Sequence, residues 1–547
     1  MIFIISILLN ITQANEYSNN KLSVVEDSLF TPIETTAAYM LLNNNEMIGS
    51  YAKEIRIQST PIELSTQESI NNYDFTTNGI FVVPDTLLTS ENLQLFEEKQ
   101  VKGIIFYTPR NNTNENNNNN TNEYYHYQSQ DKQSSFNPKG NGIAWKKYTY
   151  PILYTFVDKS ILLQKGKDLQ IEMDMYADSN SEVCLRRDMC MAIGGYSFYG
   201  SLGNTTNNES ILLTSRLDGT SFFRDITPAH EEVLSGETIL LSVLETLRPV
   251  IEKAKKNVHY AFFEGETFGS MGSSRYASIQ DNYTHIFHFG PLGLTNGEVY
   301  VYSNSSSSLP SDSSKRIVFM KNEKRPNCSL DSFKHGEKIY IADHKETFKG
   351  NISTHQDYLK SLNDLCENVQ SITEMILQVI FDTTDLNQLQ NEININYKCD
   401  NFTQLFDCLA YNVSCTYFNQ TIGSFSGFSN GYPSVYQSGR LTIRNKVISD
   451  YLIYITTLNN CKENCTSLMN GTMNYLSTFS DDIEFGTFST SVTHNKGNAW
   501  TESTWSMIQL SSFTPRTTVD YVIVSIGFVC MILITIFTLI FLNKLGV

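Results

Sequence analysis

Phe262-Phe263-Glu264-Gly265-Glu266-Thr267-Phe268-Gly269-Ser270-Met271-Gly272-Ser273-Ser274-Arg275 is the stretch whose reading decides the fold. The run before the turn, Val258 to Phe263, is short and mostly apolar or aromatic, the pattern of a buried strand. Gly272 to Asp281 suits a helix with Ser273 or Ser274 as N-cap. A strand, a glycine-rich turn and a helix present Glu266 at the carboxyl end of the strand, where open α/β sheets carry their sites.

Working outward, Ile211 to Ser215 reads as a second strand that ends in Arg216-Leu217-Asp218. Residues i and i+2 share a face, so Arg216 and Asp218 project together. Arginine keeps its proton and cannot ligate a metal. It is expected to pair with Asp218 or Glu266. Phe222-Phe223 follows, an aromatic pair suited to a core. His230 to Arg248 has helical spacing through Val233, Ile239, Leu240, Val243, Leu244 and Leu247. Glu231 at its start fits the macrodipole and is read as capping. Leu362 to Leu389 repeats the helical pattern. In the first part of the chain, Gly79 to Pro84 and Val101 to Tyr107 read as strands around a helix from Thr89 to Lys99, a βαβ unit. Asn111 to Gln130 is asparagine-rich and of low complexity.

The chain has 547 residues, enough for two or three domains, and a net charge of −17. No basic stripe is present, which argues against a nucleic-acid partner. Met1 to Ala14 reads as a secretory signal peptide. Tyr521 to Leu542 is an uncharged apolar run that spans roughly 33 Å at about 1.5 Å per residue, enough for a hydrocarbon core of about 30 Å. Nine of the ten cysteines precede it, and close pairs (Cys184/Cys190, Cys399/Cys408, Cys461/Cys465) suggest disulfides, with connectivity left open. No Cys-x-x-Cys zinc spacing occurs. Asn-x-Ser/Thr acceptors stand at Asn111, Asn119, Asn204, Asn208, Asn282, Asn304, Asn327, Asn351, Asn401, Asn412, Asn419, Asn464 and Asn470.

The turn Phe-Phe-x-Gly-Glu-Thr-Phe-x-x-x-Gly-Ser-Ser-Arg resembles the nicastrin family. So do Ser-Phe-Phe after Arg216-Leu217-Asp218, Cys184-Leu185-Arg186-Arg187, Gly140-Asn141-Gly142-Ile143-Ala144-Trp145 and Trp500-Thr501-Glu502-Ser503-Thr504-Trp505. The resemblance covers most of the chain. It implies an α/β fold: an aminopeptidase-like large lobe (mixed sheet flanked by helices), a smaller α/β lobe and one C-terminal transmembrane helix. The expected division is a signal peptide at 1–14, a small lobe at 15–180 with a candidate lid at 108–138, a large lobe at 181–515, a transmembrane helix at 521–542 and a cytoplasmic tail at 543–547. Against zinc aminopeptidases, the ligand histidine is replaced by Arg216, the ligand glutamate by Thr267, and the later acid is absent from Thr284 to Leu294. His355, nine residues before Asp364, keeps a spacing that resembles the last ligand. Too few ligands remain for zinc, so neither a catalytic residue, a metal nor a cofactor is expected.

The same resemblance implies a non-catalytic, substrate-gating or receptor subunit of γ-secretase. Its partners would be a presenilin-type aspartyl protease subunit and the two small polytopic subunits, with type I membrane proteins as substrates. The location would be a single-pass type I membrane protein, from endoplasmic reticulum and Golgi to cell surface and endosomes. Glu266, Ser270, Arg216 and Asp218 become candidates for substrate recognition, and Phe136, Phe222 and Phe223 for the lid and its pivot. The family's Asp-Tyr-Ile-Gly-Ser is Gly269-Ser270-Met271-Gly272-Ser273 here, so the acidic and phenolic groups are missing. Two other readings share the residues: an active lumenal zinc aminopeptidase, and a cell-surface adhesion or receptor glycoprotein.

Overall fold

A computed structural model of the chain describes residues 30–43, 47–76, 79–109, 140–175, 180–203, 205–293, 298–303, 316–321, 323–345, 348, 351–359, 362–383, 399–427, 429–432, 442–456, 472–479, 483–484, 487–488, 500–515 and 518–545. The expected signal peptide, Phe136, nearly all of the candidate lid, and Cys461 and Cys465 lie outside the described residues.

The expected βαβ unit forms. Ile80–Pro84 and Gly103–Tyr107 pair in parallel, joined by the helix Ser90–Glu98, whose first turn is capped by the Thr89 hydroxyl accepting from the Asn92 amide at 3.2 Å. Pro61–Glu63 and Ile152–Thr155 extend the sheet in parallel, and Thr36–Ala37 closes one edge antiparallel. Both faces are covered, so the central strands are buried throughout rather than alternating.

The larger sheet has eight strands. In spatial order they are Ile317–Lys321, Val299–Ser303, Glu337–Ala342, His285–Phe289, Ser210–Arg216, Asn257–Phe263, Gly194–Leu202 and Thr472–Phe479. Its centre is parallel and both flanks include antiparallel pairs. The period of two is visible in what each face meets. Ile211, Leu213, Tyr260 and Phe262 join the core under the helices Ser235–Leu247, Leu362–Phe381, Cys399–Ala410 and Ile443–Thr456. Leu212, Ala261 and Phe263 join the opposite core with Tyr276 and Phe333. The chain leaves Ser210–Arg216 to Asn257–Phe263 on one side and later lays His285–Phe289 on the other. The carboxyl end of Ser210–Arg216 is therefore a topological switch point, the crevice where such sheets place their sites.

Three expectations need correction. The large lobe does not run unbroken to residue 515. Thr501–Ser503 pairs with Leu41–Leu42, and Trp505–Phe513 lies between Phe30–Ile33 and Asp168–Met175, so the segment before the apolar helix returns to strands of the first lobe. The helix after the Gly-Glu-Thr-Phe turn is Met271–Ile279 with Ser270 at its N-cap, not Ser273 or Ser274. Cys184 does bond to Cys190, but Cys399 bonds to Cys366 and Cys408 to Cys415. Cys399 and Cys408 sit nine positions apart on one helix, Cys399–Ala410. A rise of about 1.5 Å per residue separates them by roughly 13 Å, beyond the reach of about 7 Å that a disulfide allows.

Thr518–Leu545 forms one helix, and its segment Val522–Phe541 is long and apolar enough to cross a membrane, with none of it buried against the rest of the chain.

Candidate functional site

The turn after Asn257–Phe263 is built by glycine. Gly265 adopts φ +77°, a left-handed conformation that a side chain disfavours. A Cβ on Gly272 would stand 2.8 Å from the Glu264 carbonyl oxygen, so this glycine lets the helix Met271–Ile279 sit against the turn. The turn is then fastened from the neighbouring strand. Asp218 Oδ1 accepts from the Glu266 amide at 2.8 Å and Oδ2 from the Thr267 amide at 3.0 Å. Asp218 is fully buried, and its carboxylate is spent on backbone donors.

Arg216 and Asp218 project together, as the strand period requires. The Arg216 guanidinium lies 3.8 Å from Asp218 Oδ2 and 3.2 Å from Glu232 Oε1, and donates to the Thr267 hydroxyl. The expected pairing with Asp218 is present, and the main ion-pair partner is a residue that sequence reasoning passed over. Glu232, not Glu231, carries that contact. The first turn of the expected helix is a π-helix, His230–Leu234, entered through Ala229 at φ +51°, and only then does the α-helix Ser235–Leu247 begin. That wider turn sets Glu232 toward Arg216.

Glu266 has no exposed surface. Its Oε1 accepts from the Ser273 amide at 2.8 Å, and its Oε2 from the Ser273 hydroxyl at 2.9 Å and the Ser329 hydroxyl at 2.6 Å. The cover is the short 3-10 turn Ser329–Ser332. Burial pushes the Glu266 carboxyl up to about 7, against the donors from Ser329 and Ser273 that favour the ionised form. Glu232 and Glu237 are pushed up to about 7 for the same reason. Glu237 is held by Arg444, which donates twice to its Oε2 at 2.9 and 3.1 Å. His230 is pushed down to about 3 by burial and by Arg444, so its ring is neutral. Ser270, half-buried, gives its amide to the Glu266 carbonyl at 3.1 Å.

Among the described residues no group of three or more His, Cys, Asp and Glu side chains has the disposition of a metal site. His355, expected where a last ligand would stand, is turned away from this centre. Its Nε2 lies 3.5 Å from Asp85 of the smaller sheet's lobe, and its ring centroid lies 4.8 Å from that of Tyr154. Phe222 and Phe223 sit in the same joint, inside the core of the first lobe with Tyr148 and Tyr154. A second seam lies beside it. Arg224 pairs with Glu502 and stands over the Tyr39 ring at 4.0 Å, while Trp500, Trp145 and Phe268 meet ring to ring at 5.8 to 6.1 Å. Two motifs far apart in sequence, Gly-Glu-Thr-Phe and Trp-Thr-Glu-Ser, thus converge there. Sequence reasoning missed Glu232, Ser329, Ser353, Asp357 and the Arg224–Glu502 pair. Only the repeated Glu in His230-Glu231-Glu232 and the charge inside Trp500-Thr501-Glu502 hinted at them.

The nicastrin small-lobe model matches residues 37–182 and the nicastrin large-lobe model residues 209–297. Nicastrin of Dictyostelium discoideum is 25% identical over 277 residues, covering 47% of this chain and 42% of its own length. Nicastrin of Homo sapiens is 24% identical over 310 residues, covering 44% and 43%. The chain thus spans under half the length of these curated relatives in the aligned regions. A crystal structure of nicastrin, described as a γ-secretase component, shares the fold at a TM-score of 0.68 and 19% identity, covering 89% of this chain and all of that one. With a match in each lobe, in the same order along the chain, this protein is similar to the nicastrin family in both its small and its large lobe.

Proposed function

We propose that this chain is the non-catalytic, substrate-gating subunit of a γ-secretase-type intramembrane aspartyl protease. In this reading a presenilin-type subunit carries the catalytic aspartates, two small polytopic subunits complete the complex, and type I membrane proteins are the substrates. The observation that carries the reading is Arg216. Its guanidinium occupies the space between Asp218, Glu232 and Thr267 at the sheet's switch point, where a hydrolase of this sheet type needs ligands and an open coordination position. A cation fixed in that volume excludes a second one and offers no lone pair.

Of the two ways such a subunit can select substrates, steric exclusion is favoured over capture of a substrate's ammonium. Capture needs an accessible carboxylate, and Glu266 is sealed by Ser273 and Ser329. Exclusion needs only a large domain held over a membrane, and the apolar helix Val522–Phe541 together with the two lobes supports that reading. Purification in mild detergent from the native cells, followed by mass spectrometry and a zinc assay on the same sample, tests this. A stoichiometric polytopic aspartyl protease partner without zinc is expected. A lone protein carrying zinc and hydrolysing free peptides would restore the aminopeptidase reading.

A further inference from the structure

The segment that leads into the apolar helix belongs to the first lobe. Trp505–Phe513 lies between Phe30–Ile33 and Asp168–Met175, and its last residue, Phe513, is paired with Phe30 on one side and with Asp168 on the other. The helix Thr518–Leu545 begins five residues later. Five extended residues span at most about 18 Å, and the apolar segment from Val522 starts about one helical turn further on. Chain connectivity therefore tethers this end of the four-stranded sheet close to the surface of the bilayer that the helix crosses.

Aromatic, cationic and aliphatic side chains converge at that end. Phe30 and Phe513 are half-buried, and their ring centroids lie 5.1 Å apart. Gln164-Lys165-Gly166-Lys167 makes a tight turn immediately before Asp168, closed by the Lys167 amide donating to the Gln164 carbonyl at 3.1 Å. Gly166, at its third position, takes φ +79°, as a type II turn requires. A Cβ on Gly166 would meet nothing within 4 Å, so the tip stands in open space. Lys165 is exposed and Lys167 half-buried, and among the described residues neither ammonium has an ion-pair partner. Lys159, by contrast, is held by Glu63 at 2.7 Å, and the adjacent acid Asp168 accepts from the Thr60 hydroxyl at 2.8 Å. Ile161, three residues before the turn, is 47% exposed, while its neighbours Leu162 and Leu163 pack on the core of the first lobe.

We propose that this end of the first lobe is seated on the membrane surface, with Lys165 and Lys167 on the phosphates of phospholipid headgroups and Ile161, Phe30 and Phe513 at the level of the interface. A lysine ammonium is a compact charge on a flexible stem, so it reaches a phosphate while its methylenes lie along apolar neighbours. Rings and lysines beside the end of a spanning helix are the residues that settle at the headgroup layer. Two lysines on an untethered turn would simply be solvated. Here the tether supplies the occupant, because a turn held so near the helix start meets the bilayer at high effective concentration. The first lobe, rather than the large lobe, then carries the chain's attachment to the membrane. The proposal rests on Val522–Phe541 crossing the bilayer and not on the proposed protease partners.

Photocrosslinking of the full chain in nanodiscs of phosphatidylcholine with a minority of phosphatidylserine tests it. One probe lipid is reactive in its headgroup and another in its acyl chain, and adducts are mapped by mass spectrometry. The acyl probe is expected to mark Val522–Phe541, and the headgroup probe residues 161–167 together with Phe30 and Phe513. Lys165→Glu combined with Lys167→Glu should cut the headgroup adducts of the turn about fivefold or more and leave the acyl adducts of the helix unchanged. Both lysines lie outside the cores, so the double variant folds. Acyl adducts on the helix without headgroup adducts on the turn would overturn the seat alone. No acyl adducts on the helix would refute the spanning reading, and the seat with it. Turn adducts that the double variant does not reduce would refute the contact through the lysines. With the same probes in native membranes, capture of the turn by a polytopic protein in place of lipid would also overturn the proposal.

Discussion

The charged centre under the switch point and the aromatic seam between the lobes are both buried, yet they are held by different physics. At the centre, carboxylates take directed donors: Asp218 two amides of the turn, Glu266 those of Ser273 and Ser329, Glu237 that of Arg444. At the seam, Phe222, Phe223, Tyr148, Tyr154, Trp145 and Trp500 meet through ring edges and faces, with Arg224 and Glu502 as the main buried ion pair. A directed network fails when one partner is removed, because the other is left charged and dry. A ring cluster tolerates a change of shape if the volume is kept. The contrast teaches that a crevice at a sheet's switch point can keep a buried polar architecture when an internal guanidinium stands among its carboxylates.

Removing that cation is the strongest way to break the comparison. Arg216→Met should destabilise the large lobe by about 3–5 kcal/mol, since Glu232 and Asp218 lose their buried partner. Chemical denaturation measures it, and a loss below about 1 kcal/mol would show that Arg216 is not the keystone of the centre. The pH dependence of the centre comes next. The folded chain holds Glu266 at about 7 against an ordinary 4.5, so its contribution is present in acid and lost between those values as pH rises. Glu266→Gln should flatten the melting temperature against pH over that window, by an amount on the order of 2–3 kcal/mol across it. A profile identical to wild type would place the titration elsewhere. The smallest effect is expected at the seam. Phe223→Leu keeps most of the apolar volume and should cost about 1 kcal/mol, visible as a small drop in melting temperature. A cost as large as that of Arg216→Met would erase the distinction between the two regions.

Much of this was legible along the chain because it depends on near neighbours. The strand before the turn, the strand ending at Arg216, the βαβ unit, the apolar helix and the Cys184–Cys190 bond follow from periodicity, turn residues and short spacing. Glu266 and Arg216 could be singled out because glycine-rich turns and strand ends are local features. Arg216 could be given a chemical meaning because a guanidinium keeps its proton in any fold.

What decides the site's behaviour lies far off in sequence. Asp357 reaches the amides of Glu231 and Glu232 across a separation of 126 and 125 residues, and Ser329 reaches Glu266 across 63. A π-turn, rather than the α-turn that periodicity suggested, chose Glu232 over Glu231. The return of Thr501–Ser503 and Trp505–Phe513 to the first lobe and the pairing of Cys366 with Cys399 are likewise register and packing outcomes. By itself the sequence determined which segments become strands and helices and which side chains can never bind a metal, because both are properties of neighbouring residues and of functional groups. Only the tertiary structure decided that Glu266 is sealed, that Arg216 is paired with Glu232 and that His355 serves the lobe joint, because burial and partnership exist only once distant segments have met.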